Sequence, residues 1–527
     1  MTDEHTTLTA TRPHHLNYEL PQHTFAQRLR LVARLRPDEP AVMEGDVCLT
    51  YSELLGAAER VAAGLQDLGV RPGDRVVTQL PNWWEATVAS WAVFLAGAIL
   101  VPVVPIYRSQ ELAFIIGQVK PRVLIAPMRY RSYDHAAELR HQVGTTATVL
   151  DVRGADGPSC FERLLAGPHR SVELSGMPED IAVVLYTSGT TSQAKGALHS
   201  HQTLLAEAAD VSRWCRLSNV DRVFMASPLS HITGLSYGIL LPVELGCAVV
   251  LQDQWDPSEA VRLIERHHCT FTVSSTPFLR GLAAAYSGPS SLVTFVCGGA
   301  DIPADLVRQA HRAMGTRVVR TYGSTELPTS SMANPFGDLD VAADGEGIAM
   351  ESNELEVRAD AESGHELLVR GRELFLGYLD EDLNAAAFTE DGWFRTGDQA
   401  RIDADGTVHI IGRIKDIVNR GGEKYSVAEV ESLLLRHPAV ADVAVVSYPD
   451  PVLVERACAF VVPVPGTAPT LAELRDHVVA SGTAIQKAPE MLVIVNDLPR
   501  TASGKVQRFM LRDQVRGTDG AARQVSR

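Results

Sequence analysis

Short apolar runs alternate with helical stretches in this chain, and that alternation constrains its fold more than any other feature. Arg75-Val76-Val77-Thr78-Gln79-Leu80 reads as a strand, Trp84–Leu95 as a helix and Ala98–Val104 as a strand. Gln110–Val119 then reads as a helix and Val123–Ala126 as a strand. Strands that are apolar on both faces need cover on both, and strands joined through helices run parallel. The pattern resumes at Arg222–Met225, Ala248–Leu251, Phe271–Val273 and Leu292–Val296. The sequence therefore predicts an α/β protein whose large N-terminal domain holds two parallel-type α/β subdomains. Leu49-Thr50-Tyr51-Ser52-Glu53 supplies a cap signal before a periodic helix predicted over Leu54–Leu68.

After about residue 345 the runs shorten and hairpin signals appear, such as the Asp-Gly step in Asp403-Ala404-Asp405-Gly406-Thr407. A small β subdomain is predicted there. Beyond Gly412-Arg413 comes a helix over Val427–Leu435, strands over Val440–Ser447 and Ala457–Val464, and a helix over Leu471–Ala480. That unit predicts a separate α+β C-terminal domain, dividing the chain at 1–412 and 413–527. Ala521–Arg527 reads as a frayed tail. A chain of 527 residues is in any case too long for a single core.

Net charge −16 leaves no basic field to neutralise phosphates, which argues against a nucleic-acid binder. Seven cysteines lie scattered without a C-x-x-C pair, as expected of reduced thiols in a cytoplasmic protein. His267-His268-Cys269 resembles a metal-ligand cluster, but its place between a helix and a strand favours a structural reading. Ala86–Ile106 is long enough to span a bilayer, yet Ser90, Gly97, Ala98, Pro102 and Pro105 punctuate it. It reads as a buried helix followed by a strand, with no membrane role.

Tyr186-Thr187-Ser188-Gly189-Thr190-Thr191-Ser192-Gln193-Ala194-Lys195-Gly196 directly follows the apolar run Ile181–Leu185. A strand that ends in hydroxyls, a glycine and one cation is built to grip phosphate. Backbone N–H groups and hydroxyls donate to the oxyanions while lysine supplies charge. The spacing is not that of a Walker A loop. Taken alone, the segment reads equally well as a Ser/Thr-rich surface turn.

Further segments follow in a fixed order: Gly298-Gly299-Ala300, Thr321-Tyr322-Gly323-Ser324-Thr325-Glu326, Trp393–Asp398, Gly412–Asp416 and Pro499–Lys505. Together with the loop they resemble the adenylate-forming superfamily, most closely its medium-chain, alicyclic and aromatic acyl-CoA ligases, over roughly residues 40 to 512. The resemblance implies an AMP-forming acid–thiol ligase that uses ATP and Mg²⁺, with CoA as co-substrate. It places Thr187, Ser188, Gly189, Thr190, Thr191 and Lys195 on the β- and γ-phosphates. Gly298, Gly299, Ala300, Tyr322 and Gly323 lie against the nucleotide, with Tyr322 stacking on adenine. Thr325 donates to the α-phosphate, Glu326 binds Mg²⁺, and Asp398 with Arg413 holds the ribose. The resemblance also implies that the C-terminal domain is a mobile lid. Lys505 bridges carboxylate and α-phosphate, and Lys415 is the hinge for a rotation that brings Gly421-Gly422 to a thiol tunnel. His231, Gly234, Tyr237, Thr276, Pro277, Gly298 and Ala300 surround the acid, although His231 also reads as a satisfied structural histidine.

The expected partners are a small carboxylic acid, ATP and CoA, with a carrier protein as an alternative thiol, in a free-standing monomer or homodimer. Carrier loading, amide formation, or ATP- and nitrite-dependent diazotisation of an aromatic amine remain open, as does a non-catalytic nucleotide-binding homologue. One departure stands out. The family carries Gly-x-Pro where this chain has Ser192-Gln193-Ala194; losing the glycine constrains the backbone and losing the proline frees it.

Overall fold

Consecutive residues of the central strands belong to different cores, and that alternation sets the layering. Val76, Leu100 and Val183 contribute to one apolar cluster, and their neighbours Val77, Val101 and Val184 to another. Val223, Val249 and Val319 join the first cluster too, while Phe224, Val250 and Val318 face a third. A side-chain period of two on strands covered from both sides gives this result. Two sheets therefore share a central helical layer, and each carries helices on its outer face. The structure, a computed structural model, describes residues 20–154, 160–187, 194–299, 302–360, 364–420, 423–481, 483–501 and 504–518.

The chain folds as two compact units. The first comprises Met1–Thr187, Ala194–Glu354 and Arg370–Gly392, and the second holds Leu355–Val369 and Trp393–Arg527. In the first unit the hairpin β1 (Pro40–Glu44) and β2 (Val47–Thr50) precedes a six-stranded sheet. That sheet is made of β3 (Arg75–Thr78), β4 (Ile99–Pro102), β5 (Val123–Pro127), β6 (Thr148–Val152), β7 (Ile181–Thr187) and β8 (Lys195–Ser200). Its order is β6-β5-β3-β4-β7-β8, parallel except for β8. β9 (Arg222–Met225), β10 (Ala248–Leu251), β11 (Phe271–Ser274), β12 (Thr294–Cys297), β13 (Arg317–Tyr322), β14 (Ser331–Met332) and β15 (Ile348–Ala349) follow. Together with the β1–β2 hairpin they build a nine-stranded sheet ordered β15-β14-β13-β12-β11-β9-β10-β1-β2.

The apolar run after Trp84 becomes the helix Trp84–Leu95, buried on every side from Glu85 onward, and then β4. It packs against the helices Phe25–Leu35 and Tyr51–Asp67 and the strands β1, β3 and β4. Burial by protein on all sides explains its membrane-like composition. No helix among the described residues is long and apolar enough to cross a membrane.

The helix expected at Leu54 starts three residues earlier, at Tyr51. Thr50 Oγ1 accepts the Glu53 N–H at 3.3 Å and the Glu53 carboxylate accepts the Thr50 N–H at 2.8 Å, so the cap closes one turn ahead of the apolar pattern. Tyr51 itself is buried, its hydroxyl within reach of the carbonyls of Pro242 (2.7 Å) and Cys247 (2.6 Å). His268 ends the helix Pro257–His267 in the left-handed region, and Cys269 is buried. Among the described residues no group of three His, Cys, Asp or Glu is placed to hold a metal ion.

Chiefly in the second unit, β16 (Asn353–Asp360), β17 (Gly364–Gly371), β18 (Phe394–Ile402) and β19 (Val408–Arg413) form the small β subdomain's four-stranded sheet. The Asp-Gly turn lies where the sequence places it, with the Gly406 N–H donating to the Asp403 carbonyl at 2.9 Å. β20 (Ile417–Arg420), β21 (Glu423–Ser426), β22 (Val440–Asp450), β23 (Val454–Pro463) and β24 (Met491–Ile494) make the C-terminal sheet. Val445 and Val461 join the helices Val427–Leu434 and Leu471–Ala480 in one core. Val446 and Phe460 join the helix Arg508–Thr518 in another. The tail at 521–527 lies outside the described residues.

Candidate active site

Four parallel strands of the nine-stranded sheet deliver their C-terminal ends to one edge. Ser274 of β11 lies beside Cys297 of β12, Cys297 beside Arg320 of β13, and Phe271 beside Val223 of β9. The segments that leave this edge carry His231, Thr276-Pro277, Gly298-Gly299 and Tyr322–Glu326. Ligands of open α/β sheets bind at such carboxyl ends. Gly298 donates its N–H to the Ser274 carbonyl at 3.1 Å, and Gly299 turns the chain with φ +79°, a conformation side chains disfavour. Ala300 lies outside the described residues.

The turn after β13 folds back on itself. A Cβ on Gly323 would lie 1.8 Å from the Pro328 carbonyl oxygen, so only glycine lets the chain pass. The Ser330 N–H donates to the Tyr322 carbonyl at 2.8 Å, and the Glu326 N–H donates to Ser324 Oγ at 3.2 Å. Tyr322 and Thr325 are half-buried and Glu326 is buried.

The expected phosphate loop joins two paired strands. Thr187 ends β7, Lys195 begins β8, and the two are register partners in an antiparallel pair. Ser188, Gly189, Thr190, Thr191, Ser192 and Gln193 lie outside the described residues. Along the other side of β8 runs a strap. The Leu198 N–H donates to the Gly377 carbonyl (2.9 Å), and the Leu376 and Leu379 N–H groups donate to the carbonyls of Leu198 (2.8 Å) and Gly196 (2.7 Å).

That strap carries a residue the motifs miss. Lys195 Nζ lies 4.9 Å from the centre of the Tyr378 ring, and the Tyr378 hydroxyl donates to Glu326 Oε1 at 2.7 Å. Tyr378 thus joins the expected phosphate cation to the expected metal carboxylate. The other Glu326 oxygen makes no hydrogen bond among the described residues. One buried carboxylate with an open oxygen fits Mg²⁺, which takes one or two carboxylates together with phosphate oxygens. The second missed residue is His199, fully buried on β8, with Nε2 2.7 Å from the Thr325 carbonyl oxygen. Burial lowers its pKa to about 4, against the opposing pull of that carbonyl and of Glu326.

His231 caps a short helical turn, its Nδ1 3.4 Å from the Thr233 N–H, and Gly234 is buried in the same turn. A π-helical turn, Leu235–Leu240, follows and passes into α-helix at Leu241. Tyr237, expected beside the acid, spends its hydroxyl on Glu207 and on Thr329 Oγ1 at 2.7 Å. Glu207 and Glu373 are both fully buried, and burial raises both pKa values, that of Glu373 far above the usual carboxylate range. Two adjacent carboxyls this deeply buried disfavour ionising together, which favours one shared proton on the pair. Thr276 opens the helix Thr276–Ala285 and is buried, with Pro277 next to it.

The second unit holds the other expected residues. Asp398 is buried on β18 and faces Arg413 of β19, whose Nε lies 2.9 Å from Asp398 Oδ1. Lys415 falls in the 3₁₀ turn Ile414–Asp416, where Asp416 pairs with Arg508 and Arg512. β20 and β21 pair antiparallel with Arg420 opposite Glu423, and Gly421 and Gly422 lie outside the described residues. Lys505 sits on a tight loop: its N–H donates to Thr501 Oγ1 (3.0 Å) and its carbonyl accepts the Thr501 N–H (2.7 Å).

Comparison with known proteins agrees with this architecture. The profile of the AMP-binding enzyme family matches residues 29–379, and that of the AMP-binding enzyme C-terminal domain matches residues 429–505. A medium-chain fatty-acid–CoA ligase of Escherichia coli (strain K12) is 34% identical over 513 residues, covering 93% of this chain and 90% of the relative. A 2,3-dihydroxybenzoate–AMP ligase of Bacillus subtilis (strain 168) is 33% identical over 509 residues, covering 93% and 94%. Among solved structures, the O-succinylbenzoate coenzyme A synthetase of Bacillus subtilis in complex with ATP and magnesium ion superposes with TM-score 0.82. It is 27% identical, with 94% of this chain and 100% of that one covered. The chain belongs to the AMP-binding enzyme family and is an adenylate-forming acid ligase.

Proposed function

We propose that this ligase activates a medium-sized cyclic, aromatic or aliphatic carboxylic acid as its acyl-adenylate and transfers the acyl group to CoA. The observation that carries the reading is the join in the first unit: Lys195, Glu326 and the Thr325 turn meet through Tyr378 and His199. A cation, a hydroxyl and a carboxylate held at fixed positions are what transfer at an α-phosphate requires. The similar E. coli and B. subtilis proteins, a fatty-acid–CoA ligase and an aryl–AMP ligase by name, support an acid as substrate.

In the first half-reaction a carboxylate oxygen attacks the α-phosphorus, the bond from that phosphorus to the bridging oxygen breaks, and pyrophosphate leaves. Thr187, Lys195 and the loop between them hold the departing phosphates, Thr325 donates to the α-phosphate, and Tyr322 presents its ring to adenine. Bound at Glu326, Mg²⁺ supplies neutralisation of phosphate charge. Asp398 and Arg413 engage the ribose, and Lys505 meets the charge that develops between carboxylate and phosphate. In the second half-reaction the thiol sulfur attacks the acyl carbon, AMP leaves, and the thiol proton passes to solvent. For this step we place the lid at 413–527, hinged at Lys415, with Gly421-Gly422 beside the thiol arm. His231 lines the acid side.

The test is pyrophosphate release with ATP and Mg²⁺ across a panel of alkanoic, alicyclic and benzoic acids, with and without CoA. The expected result is release that depends on the acid, with AMP and thioester formed in equal amounts once CoA is present. AMP without thioester, formed only with nitrite and an aromatic amine, overturns the reading in favour of diazotisation. Thioester formed only on a carrier protein replaces CoA as the acceptor.

A further inference from the structure

We propose that His199 is a positioning residue for adenylation: by donating to the Thr325 carbonyl it fixes the peptide plane from which Thr325 and Glu326 project. The proposal rests on the assignment of Thr325 and Glu326 to the α-phosphate and Mg²⁺. His199 Nε2 lies 2.7 Å from that carbonyl oxygen, and Nδ1 lies 3.1 Å from Thr203 Oγ1. A carbonyl only accepts, so Nε2 carries the hydrogen and Nδ1 is left an acceptor beside the Thr203 hydroxyl, whose single proton the Ser200 carbonyl at 3.1 Å also accepts. Thr203 belongs to the helix His201–Trp214, capped by Ser200, so the ring is oriented by a fixed element.

The Thr325 carbonyl and the Glu326 N–H share one peptide unit, and that unit is held at both ends. His199 takes the carbonyl, and Ser324 Oγ accepts the N–H at 3.2 Å. One residue on, the Phe375 N–H donates to the Glu326 carbonyl at 2.8 Å. Four strand positions before His199, on the same face of β8, stands Lys195. A single strand therefore presents the expected phosphate cation and orients the expected metal carboxylate. Here the contact falls on the one peptide whose tilt aims both functional side chains, as outer partners aim metal ligands elsewhere.

Calorimetry of ATP binding with and without Mg²⁺, beside the two half-reactions, tests this. For His199→Leu the expected result is a loss of about 10- to 100-fold in affinity for Mg·ATP. Affinity for metal-free ATP, which keeps the Thr325 contact alone, is expected to fall less, and thioester formation from supplied acyl-adenylate to slow less than adenylation. His199→Gln, whose amide N–H₂ restores a donor, is expected to recover most of the loss. A folded His199→Leu with wild-type Mg·ATP affinity, or with equal losses in both half-reactions, overturns the proposal. Should His199→Leu not fold, Thr203→Val keeps the imidazole but removes the hydroxyl that holds its Nδ1 edge. It is expected to weaken Mg·ATP binding in the same direction, and wild-type affinity there overturns the proposal. Glu326→Gln separates the two readings. Unchanged Mg·ATP affinity in that variant defeats the assignment of Glu326 and the proposal with it, whereas a loss there beside none in His199→Leu defeats the proposal alone.

Discussion

Lys505 shows what one side chain on a braced loop is asked to do. Thr501 ties the loop from both sides, and Arg500 donates to the Gly504 carbonyl at 2.6 Å while pairing with Asp442. Such bracing would let the proposed ammonium meet developing charge with little further ordering of the loop. Lys505→Ala is expected to slow acid-dependent ATP–pyrophosphate exchange by about 10²- to 10³-fold. Thioester formation from supplied acyl-adenylate is expected to be far less affected, and equal loss in both half-reactions would refute the role. At this scale the sequence is legible only where chemistry is packed into a short stretch. Thr321–Glu326 and Pro499–Lys505 announce themselves, whereas Tyr378 reaches Glu326 across 52 residues and His199 reaches Thr325 across 126. No spacing rule links such pairs; only the sheet order does.

At the scale of elements, strands buried on both faces are the most readable part of the chain. Arg222–Met225 and Ala248–Leu251 fall on β9 and β10 because continuous β-branched and apolar runs leave them no other use. β8 escapes the same reading. Lys195-Gly196-Ala197-Leu198-His199-Ser200 has little intrinsic strand preference and becomes extended through its pairing with β7 and with the strap around Tyr378. The Ile414–Asp416 turn carries the expected hinge. Lys415→Pro fixes φ there and is expected to spare acyl-adenylate formation while abolishing transfer to CoA. Stopped-flow separation of the half-reactions decides it, and full turnover at the wild-type rate would remove Lys415 from the hinge.

For the whole molecule, buried titratable groups set how stability varies with pH. Burial lowers the pKa of His135 to about 4 and that of His201 to about 3, against an ordinary value near 6.5. The unfolded chain therefore takes up protons first, and their contribution is lost as pH falls from about 6.5 towards 4. The Glu207–Glu373 pair works the other way. Its folded pKa values are raised, so the unfolded chain releases protons first and stability falls as pH climbs above about 4.5. Melting curves across pH are expected to show Glu373→Gln gaining on the wild type towards pH 8, and His135→Gln flattening the acid limb. A Glu373→Gln variant less stable than wild type at pH 8 would mean that the pair is not held protonated.

The π-helical turn Leu235–Leu240 has a consequence for how such a chain varies by descent. A π-turn is an α-helix carrying one residue too many, here set between the short helical segments Ile232–Gly234 and Leu241–Leu245. Removing one residue from it would return the turn to α pitch and swing Tyr237 away from Glu207 and Thr329. The segment next to His231 can thus change its reach by insertion or deletion, a single codon at a time, while the strand ends that lead into Gly298-Gly299 and Tyr322–Glu326 keep their register.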